Sequence, residues 1–329
     1  MQLQTFVDIP ALPAPIGHRD KILLMGSCFA ENMGRLLTEH KFDCDLNPMG
    51  ILYNPLSLAQ ALEEIRLLRT YRVEDLFHHR EAWHSPLHHG SFSDSEPDTV
   101  LQRINSRIRR ANTYLREASW LVLTLGTSWV YESALSGQVV GNCHKLPEKE
   151  FIRRRLPVSE ITERFTSLIA DLHRLNPGMR VLFTVSPIRH IRDGMVENQL
   201  SKSTLLLAVN ELQRTFPDQV CYFPAYEIVM DELRDYRYYA EDMLHPSALG
   251  VRYIWERFVE TCLSPASRKL MEQCQEIQRS LAHRPFRPRS DEYKSFLRKI
   301  LLRIDQLNEE YPYLDFTNEK KICHTRLNP

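Results

Sequence analysis

The segment that decides the fold reads KILLMGSCFAENMGRLL and covers residues 21–37. Lys21 to Met25 form a short apolar run of the kind found in strands that are covered on both faces. After the turn at residues 26–28, the apolar residues between Phe29 and Leu37 recur at the three- and four-residue spacing of one helix face. The segment therefore predicts a strand followed by a crossover helix, which is the repeating unit of a parallel sheet.

The same unit recurs along the chain. A second helical spacing runs from Ile161 to Leu172. Ser57 with Gln60 predicts a capping box at the start of another helix, and Ser247 suits the N-cap of a final covering helix. Four more short runs predict strands: Phe42–Leu46, Trp120–Leu125, Arg180–Val185 and Val220–Phe223. We therefore expect an α/β fold with three layers, α/β/α, around a five-stranded parallel sheet.

The length of 329 residues leaves room for an appendage beside one large domain. Residues 1–262 carry the strand and helix signals. They are interrupted by a polar, histidine-rich insertion at residues 71–97, which we expect to build one wall of a site. Residues 263–329 predict an α-helical appendage, in which helical stretches flank the breaker RPFRP at residues 284–288.

The composition excludes several classes of protein. Apolar residues make up 43% and charged residues 26%, with a net charge of zero, so neither disorder nor a nucleic-acid partner is expected. Seven cysteines without a CxxC pair fit a reducing compartment. Residues 1–15 lack a secretion signal, and no run of about 18 apolar residues occurs. We expect a cytoplasmic protein without a membrane partner, and the oligomeric state stays open.

Two distant segments carry residues suited to nucleophilic catalysis. Ser27 opens the first predicted helix, whose amides could stabilise an oxyanion; its hydroxyl could equally cap that helix. Asp242 could orient His245 as a general base, although the same spacing also suits a simple loop hydrogen bond. Because both segments follow predicted strands, we expect them to meet at the carboxyl edge of the sheet, where ligands bind.

Residues 26–31, GSCFAE, match the motif that names the GSCFA domain family, which is grouped with the SGNH (GDSL-like) hydrolases. The helical tail is similar to that of bacterial members. The resemblance implies a flavodoxin-like sheet on which Ser27 attacks an ester carbonyl, His245 takes the serine proton and Asp242 holds the imidazole. It extends over residues 20 to about 260 through 47–55 (NPMGILYNP), 125–128 (LGTS), 142–145 (NCHK), 184–187 (TVSP) and 242–247 (DMLHPS).

The resemblance also implies an oxyanion hole made by the amide of Ser27, by Gly50 and by an asparagine in a Gly-x-Asn turn. Ser128 stands where that asparagine would be, so the chain departs from the family pattern at this donor. A serine hydroxyl donates one hydrogen bond and rotates freely, so the donor could come from elsewhere. Asn142 and His144 are the candidate substitutes, and a polar turn packed against the sheet is the alternative.

Other polar residues allow two interpretations each. Arg189 and His190 follow the fourth predicted strand and could bind a carboxylate or phosphate of the substrate, or could be solvated surface. Cys28 could be a rival nucleophile, but we expect it to be a buried packing residue. In the insertion, Trp83 and Phe92 could line an acyl or sugar pocket. We expect hydrogen bonds rather than metal binding from its histidines: His78, His79, His84, His88 and His89.

Three functions follow from these residues. The first is hydrolysis of an ester on a small molecule or carbohydrate by a serine-dependent enzyme that needs no cofactor. The second is transfer of the acyl group to a hydroxyl acceptor by the same residues. The third is a binding or scaffold domain that has lost activity, since a fold by itself does not establish catalysis.

Overall fold

The computed structural model describes residues 5–328, so Met1–Gln4 and Pro329 of the expected domain and appendage lie outside it. The strands are β1 (Lys21–Gly26), β2 (Asp43–Leu46), β3 (Phe77–His79), β4 (Ala82–His84), β5 (Trp120–Leu125), β6 (Trp129–Ser133), β7 (Val139–Val140), β8 (Phe151–Arg155), β9 (Arg180–Val185) and β10 (Val220–Phe223). The helices are α1 (Cys28–Glu39), α2 (Pro55–Arg66), α3 (Pro97–Glu117), α4 (Val158–Leu175), α5 (Met195–Thr215), α6 (Ala225–Glu227), α7 (Ala248–Cys262), α8 (Pro265–Ala282), α9 (Asp291–Glu310) and α10 (Thr317–Leu327).

Five strands form a parallel sheet in the order β10-β9-β5-β1-β2. These are the five runs predicted from the sequence, and their order is that of a flavodoxin-like sheet. The expected three-layer α/β/α fold with a helical C-terminal region is confirmed. Two antiparallel sheets, β3-β4 and β7-β6-β8, were not predicted.

Apolar side chains of β1 alternate between two hydrophobic cores, because successive residues of a strand point to opposite faces. Leu23 and Met25 pack in the core that contains the buried faces of α2, α3, α4 and α5. Ile22 and Leu24 pack in the core under α1 and α7. Both faces of the sheet are therefore covered, which explains why the inner strands β1, β5 and β9 are nearly continuous apolar runs.

Helix caps agree with the sequence at one expected position and differ at another. The Ser247 side chain accepts a hydrogen bond from the Gly250 amide at 3.3 Å, so this serine caps α7 as predicted. The capping box at Ser57 is wrong. Asn54 is the N-cap of α2, and its Oδ1 accepts from the Ser57 amide at 2.8 Å, because Pro55 begins the helix earlier.

The appendage of α8, α9 and α10 has a hydrophobic core of its own and contacts the end of α1. Lys41 Nζ lies 2.6 Å from Glu319 Oε1, with side-chain exposures of 14% and 4%. Gln278 also donates to this carboxylate at 2.6 Å. Within residues 5–328, no helix is long and apolar enough to cross a bilayer.

Replacing Lys41 with Met should lower the free energy of unfolding by about 3 kcal/mol, because it leaves the buried Glu319 carboxylate without its cation. Urea denaturation measures this change. Lys320→Met is the matched control, since its partner Asp305 is mostly exposed and the expected loss is under about 1 kcal/mol. Equal effects of the two substitutions would contradict the structural role of the Lys41 pair.

Candidate active site

A cavity of about 620 Å³ opens at the carboxyl edge of the parallel sheet. The turns after β1, β5 and β9 meet there with the loop that precedes α7. We call this space the Ser27 cavity. Its lining includes Ser27, Asn54, Trp129, Asn142, Arg189 and His245.

Ser27 lies between the end of β1 and the start of α1, and only 2% of its surface is exposed. Its Oγ accepts a hydrogen bond from the Phe29 amide at 3.3 Å, so it caps the helix. A hydroxyl has two acceptor lone pairs and one proton. The cap therefore leaves the proton of Ser27 available to a base, while the helix amide favours negative charge on the oxygen.

Asp242 and His245 form a closed turn before α7. The Asp242 carboxylate accepts from the backbone amides of Leu244 and His245 at 2.9 Å each, and from His245 Nδ1 at 2.5 Å. These three donors lower the pKa of Asp242 to about 2. The carboxylate therefore stays ionised and holds the proton of His245 on Nδ1, which leaves Nε2 as the basic nitrogen.

The structure brings Ser27 and His245 to the same cavity. Among the hydrogen bonds of residues 5–328, none joins the Ser27 hydroxyl to the imidazole. The His245 side chain is 47% exposed, in contrast to the buried serine. Catalytic hydrogen bonds often shorten only when substrate is bound, so this arrangement is compatible with a nucleophile and its base.

The three other residues proposed for oxyanion or substrate contacts, Gly50, Ser128 and His144, do not line the Ser27 cavity. The amide of Gly50 donates to the Asn47 carbonyl at 2.8 Å. Ser128 is fully buried, and both its amide and its hydroxyl donate to the Ser201 hydroxyl. His144 Nε2 bonds to a backbone carbonyl of the insertion. The roles expected for these three residues stay predictions, and the polar groups described here are engaged within the protein.

Asn142 does line the cavity. Its Oδ1 accepts from the His144 amide at 2.9 Å, which fixes the orientation of the side-chain amide. Its Nδ2 group has no hydrogen-bond partner within the part of the chain that the structure describes. Asn142 can therefore donate to an oxygen of a bound ligand.

Arg189 and His190 also line the cavity, and their expected contact with substrate stays a prediction. Burial lowers the pKa of His190 to about 4, and the positive charges of Lys202 and His245 act in the same direction. The imidazole of His190 is therefore neutral near pH 7. The Arg189 amide donates to the Leu244 carbonyl at 3.4 Å and connects this loop to the turn that carries His245.

Cys28 differs from the expectation of a buried packing residue. It is partly exposed and lines the Ser27 cavity, while it also packs against the core under α1. Ser27 is the more deeply buried of the two side chains. An experiment therefore has to distinguish reaction at the Cys28 thiol from reaction at the Ser27 hydroxyl.

The insertion at residues 71–97 does not line the Ser27 cavity, and its expected role as one wall of a site stays a prediction. The insertion instead contacts the chain segment around Asn142, which lines the cavity. The Pro86 carbonyl accepts from the amides of Gly141 and Asn142, at 2.8 and 3.2 Å, and the Ser85 carbonyl bonds to His144 Nε2 at 2.8 Å. Trp83 and Phe92, expected in a substrate pocket, pack against the hydrophobic core.

Histidines of the insertion serve in hydrogen bonds, in agreement with the expectation. His84 bonds to the Ser93 hydroxyl at 2.7 Å and to the His79 carbonyl at 3.0 Å. His88 is buried against Tyr71, and burial lowers its pKa to about 3. Among residues 5–328, no group of three or more His, Cys, Asp or Glu side chains has the arrangement of a metal site.

One wall of the cavity was not predicted from the sequence. Trp129 and Tyr131 come from β6, and Arg153 comes from the paired strand β8. The Arg153 guanidinium lies 4.5 Å from the Trp129 ring centre and forms a bidentate ion pair with Asp193. The alternating aromatic residues of WVYES at 129–133 are the signal that could have predicted this strand.

Lys202 on α5 joins two of the turns that frame the cavity. The side chain is fully buried, and its Nζ donates to the carbonyls of Gly126 and Ser186 at 2.6 Å each. Burial lowers the pKa of Lys202 to about 7, and the charge of Arg189 adds to this effect. This lysine fixes the spacing of the ends of β5 and β9.

Lys202→Met should flatten the dependence of stability on pH between pH 7 and 9. The unfolded lysine keeps its proton up to a pKa of 10.5 and the folded one releases it near 7, so stability rises with pH in this window. The wild-type slope should exceed that of the variant by up to about 1.4 kcal/mol per pH unit. Urea denaturation at several pH values measures it. Lys299→Met, on the exposed side of α9, is the control, and parallel curves for all three proteins would contradict the assignment.

Comparisons with known proteins identify a family. The profile of the GSCFA family matches residues 21–258, and that of the C-terminal domain of GSCFA domain proteins matches residues 274–329. No curated protein sequence matches significantly. The fold is similar to a Bacteroides fragilis protein provisionally described as an acylhydrolase, at 10% identity and a TM-score of 0.38 over 79% of this chain and 92% of that one. It is also similar to an acetyl xylan esterase from the rumen bacterium Butyrivibrio proteoclasticus, at 10% identity and a TM-score of 0.38 over 75% of this chain and 64% of that one.

Proposed function

The chain belongs to the GSCFA family, and on that premise we propose that it is a serine-dependent ester hydrolase with Ser27 as nucleophile. One observation carries the proposal: Ser27 and His245 line the same cavity, and the Asp242 carboxylate lies 2.5 Å from His245 Nδ1. A nucleophile, a base and a group that orients the base are the parts that acyl transfer through serine requires.

The reaction runs in two steps. His245 Nε2 takes the proton of Ser27 as Oγ attacks the ester carbonyl, and the same proton passes to the departing alcohol. Water then attacks the acyl-serine with His245 again as base, which releases the acid and restores the hydroxyl. Asp242 stays ionised throughout and stabilises the imidazolium that forms in each step.

The negative oxygen formed in each step needs donors. The backbone amide of Cys28 belongs to the first turn of α1, where N–H groups lack partners within the helix. The side-chain amide of Asn142 is the second donor that we propose, in place of Ser128 and Gly50. Together they give the oxyanion one donor at the helix start and one on the opposite wall.

A fluorophosphonate probe, which reacts with activated serines, tests the proposal on the full-length protein. We expect labelling of the wild type and of Cys28→Ser, and loss of labelling in Ser27→Ala. Turnover of 4-nitrophenyl acetate should fall at least about 10³-fold in Ser27→Ala and in His245→Gln.

The Cys28→Ser variant is the matched control, because it removes the neighbouring thiol and leaves Ser27 in place. Labelling that follows Cys28 instead of Ser27 would refute the assignment of the nucleophile. A folded wild-type protein without labelling or turnover would favour a binding domain. Labelling with acyl transfer to an added alcohol in preference to water would indicate an acyltransferase.

A further inference from the structure

Three residues that line the Ser27 cavity carry a side-chain nitrogen that the protein leaves unpaired. Trp129 Nε1, Arg189 Nε and His190 Nε2 are buried atoms, and none has a hydrogen-bond partner within residues 5–328. A tryptophan N–H and an arginine N–H can only donate. The wall of the cavity therefore holds donors in excess of the acceptors that the described part of the protein supplies.

The cavity is also lined by more cationic than anionic side chains. Three arginines and one aspartate line it. Arg153 is paired with Asp193, and Arg192 is paired with Glu148 at the surface. Arg189 has no ion pair within the described part of the chain; its Nη1 approaches Met230 Sδ at 3.4 Å, and sulfur is a weak acceptor.

Two acidic groups that share a cavity with Arg189 are engaged elsewhere. Asp235 and Asp242 line a second cavity that Arg189 also borders. Asp235 forms an ion pair with Arg237, and Asp242 holds His245. Arg189 therefore forms no ion pair with either of them, and a half-buried guanidinium in this position favours an anion.

A second cation near Arg189 strengthens this preference. Lys202 lies close enough to Arg189 for the charge of the arginine to lower the pKa of the lysine. Carboxylates and phosphates combine negative charge with several acceptor oxygens, which is the chemistry these donors require.

We infer that the ester hydrolysed at Ser27 carries a carboxylate or phosphate on the part that does not react, and that the guanidinium of Arg189 binds it. The inference rests on the proposed function for the choice of an ester as ligand. It assigns the specificity of the site to a carboxylate or phosphate of the substrate that is bound beside His245.

Two matched esters test the inference through kinetics. The 4-nitrophenyl ester of succinic acid carries a free carboxylate, and its methyl-capped analogue has nearly the same shape without the charge. The wild type should prefer the charged ester in kcat/KM. Arg189→Gln should reduce that preference by about 10- to 100-fold, because it removes a charged hydrogen bond. Arg189→Lys should retain part of it, and Arg252→Gln, an exposed arginine of α7, should leave it unchanged.

Binding to Ser27→Ala tests the same site without turnover. Isothermal titration with succinate and with glycerol 3-phosphate distinguishes the carboxylate from the phosphate, and succinamide and glycerol are the neutral controls. We expect at least one anion to bind at least about tenfold more tightly than its neutral control, with loss of that difference in Ser27→Ala/Arg189→Gln.

The two proposals fail separately. Hydrolysis of both esters without a preference, together with equal binding of anions and neutral controls, would overturn the anionic specificity and leave the hydrolase standing. Anion binding that depends on Arg189, without hydrolysis of either ester, would overturn the hydrolase and support the anion site. Circular dichroism of each variant establishes that it is folded.

Discussion

Parallel pairing of β1 with β5, and of β5 with β9, brings the ends of three strands to one level at the carboxyl edge of the sheet. The approach is close at Gly26, where φ is +148° and a Cβ atom would lie 2.4 Å from the Thr124 carbonyl oxygen. Only glycine allows the backbone to pass there. Ser27 consequently lies at the edge of the sheet and at the start of a helix. It is beside the turns after β5 and β9, which Lys202 connects through hydrogen bonds.

The inner strands β1, β5 and β9 could be predicted because burial on both faces leaves a nearly continuous apolar run in the sequence. β6, β7 and β8 could not be predicted in the same way. Each is short and has partly exposed residues, so its composition resembles that of a loop. These strands nevertheless contribute the aromatic and cationic wall of the cavity, which explains why most of that wall was absent from the sequence analysis.

A role that is inferred from the position of a residue in a motif depends on the direction in which the turn places its side chain. After β5, Thr127 lines the cavity and Ser128 does not, although the two are adjacent and both side chains bond to Ser201. Sequence similarity fixes a position in the chain but not how far its side chain reaches, so the role expected for Ser128 stays a prediction, while Ser27 and His245 line one cavity.

The two residues of the proposed catalytic pair lie in opposite environments, and this difference affects how the charge on each residue is stabilised. The Ser27 oxygen is buried against helix amides, which stabilise an alkoxide more strongly where water is excluded. His245 lies half in solvent, so its imidazolium can be hydrated as well as paired with Asp242. The Met243 backbone, with φ of +58°, closes the turn that ties these two residues together. A substrate that fills the gap would exclude water from the serine side first, so the hydroxyl would become reactive only once an ester lies between nucleophile and base.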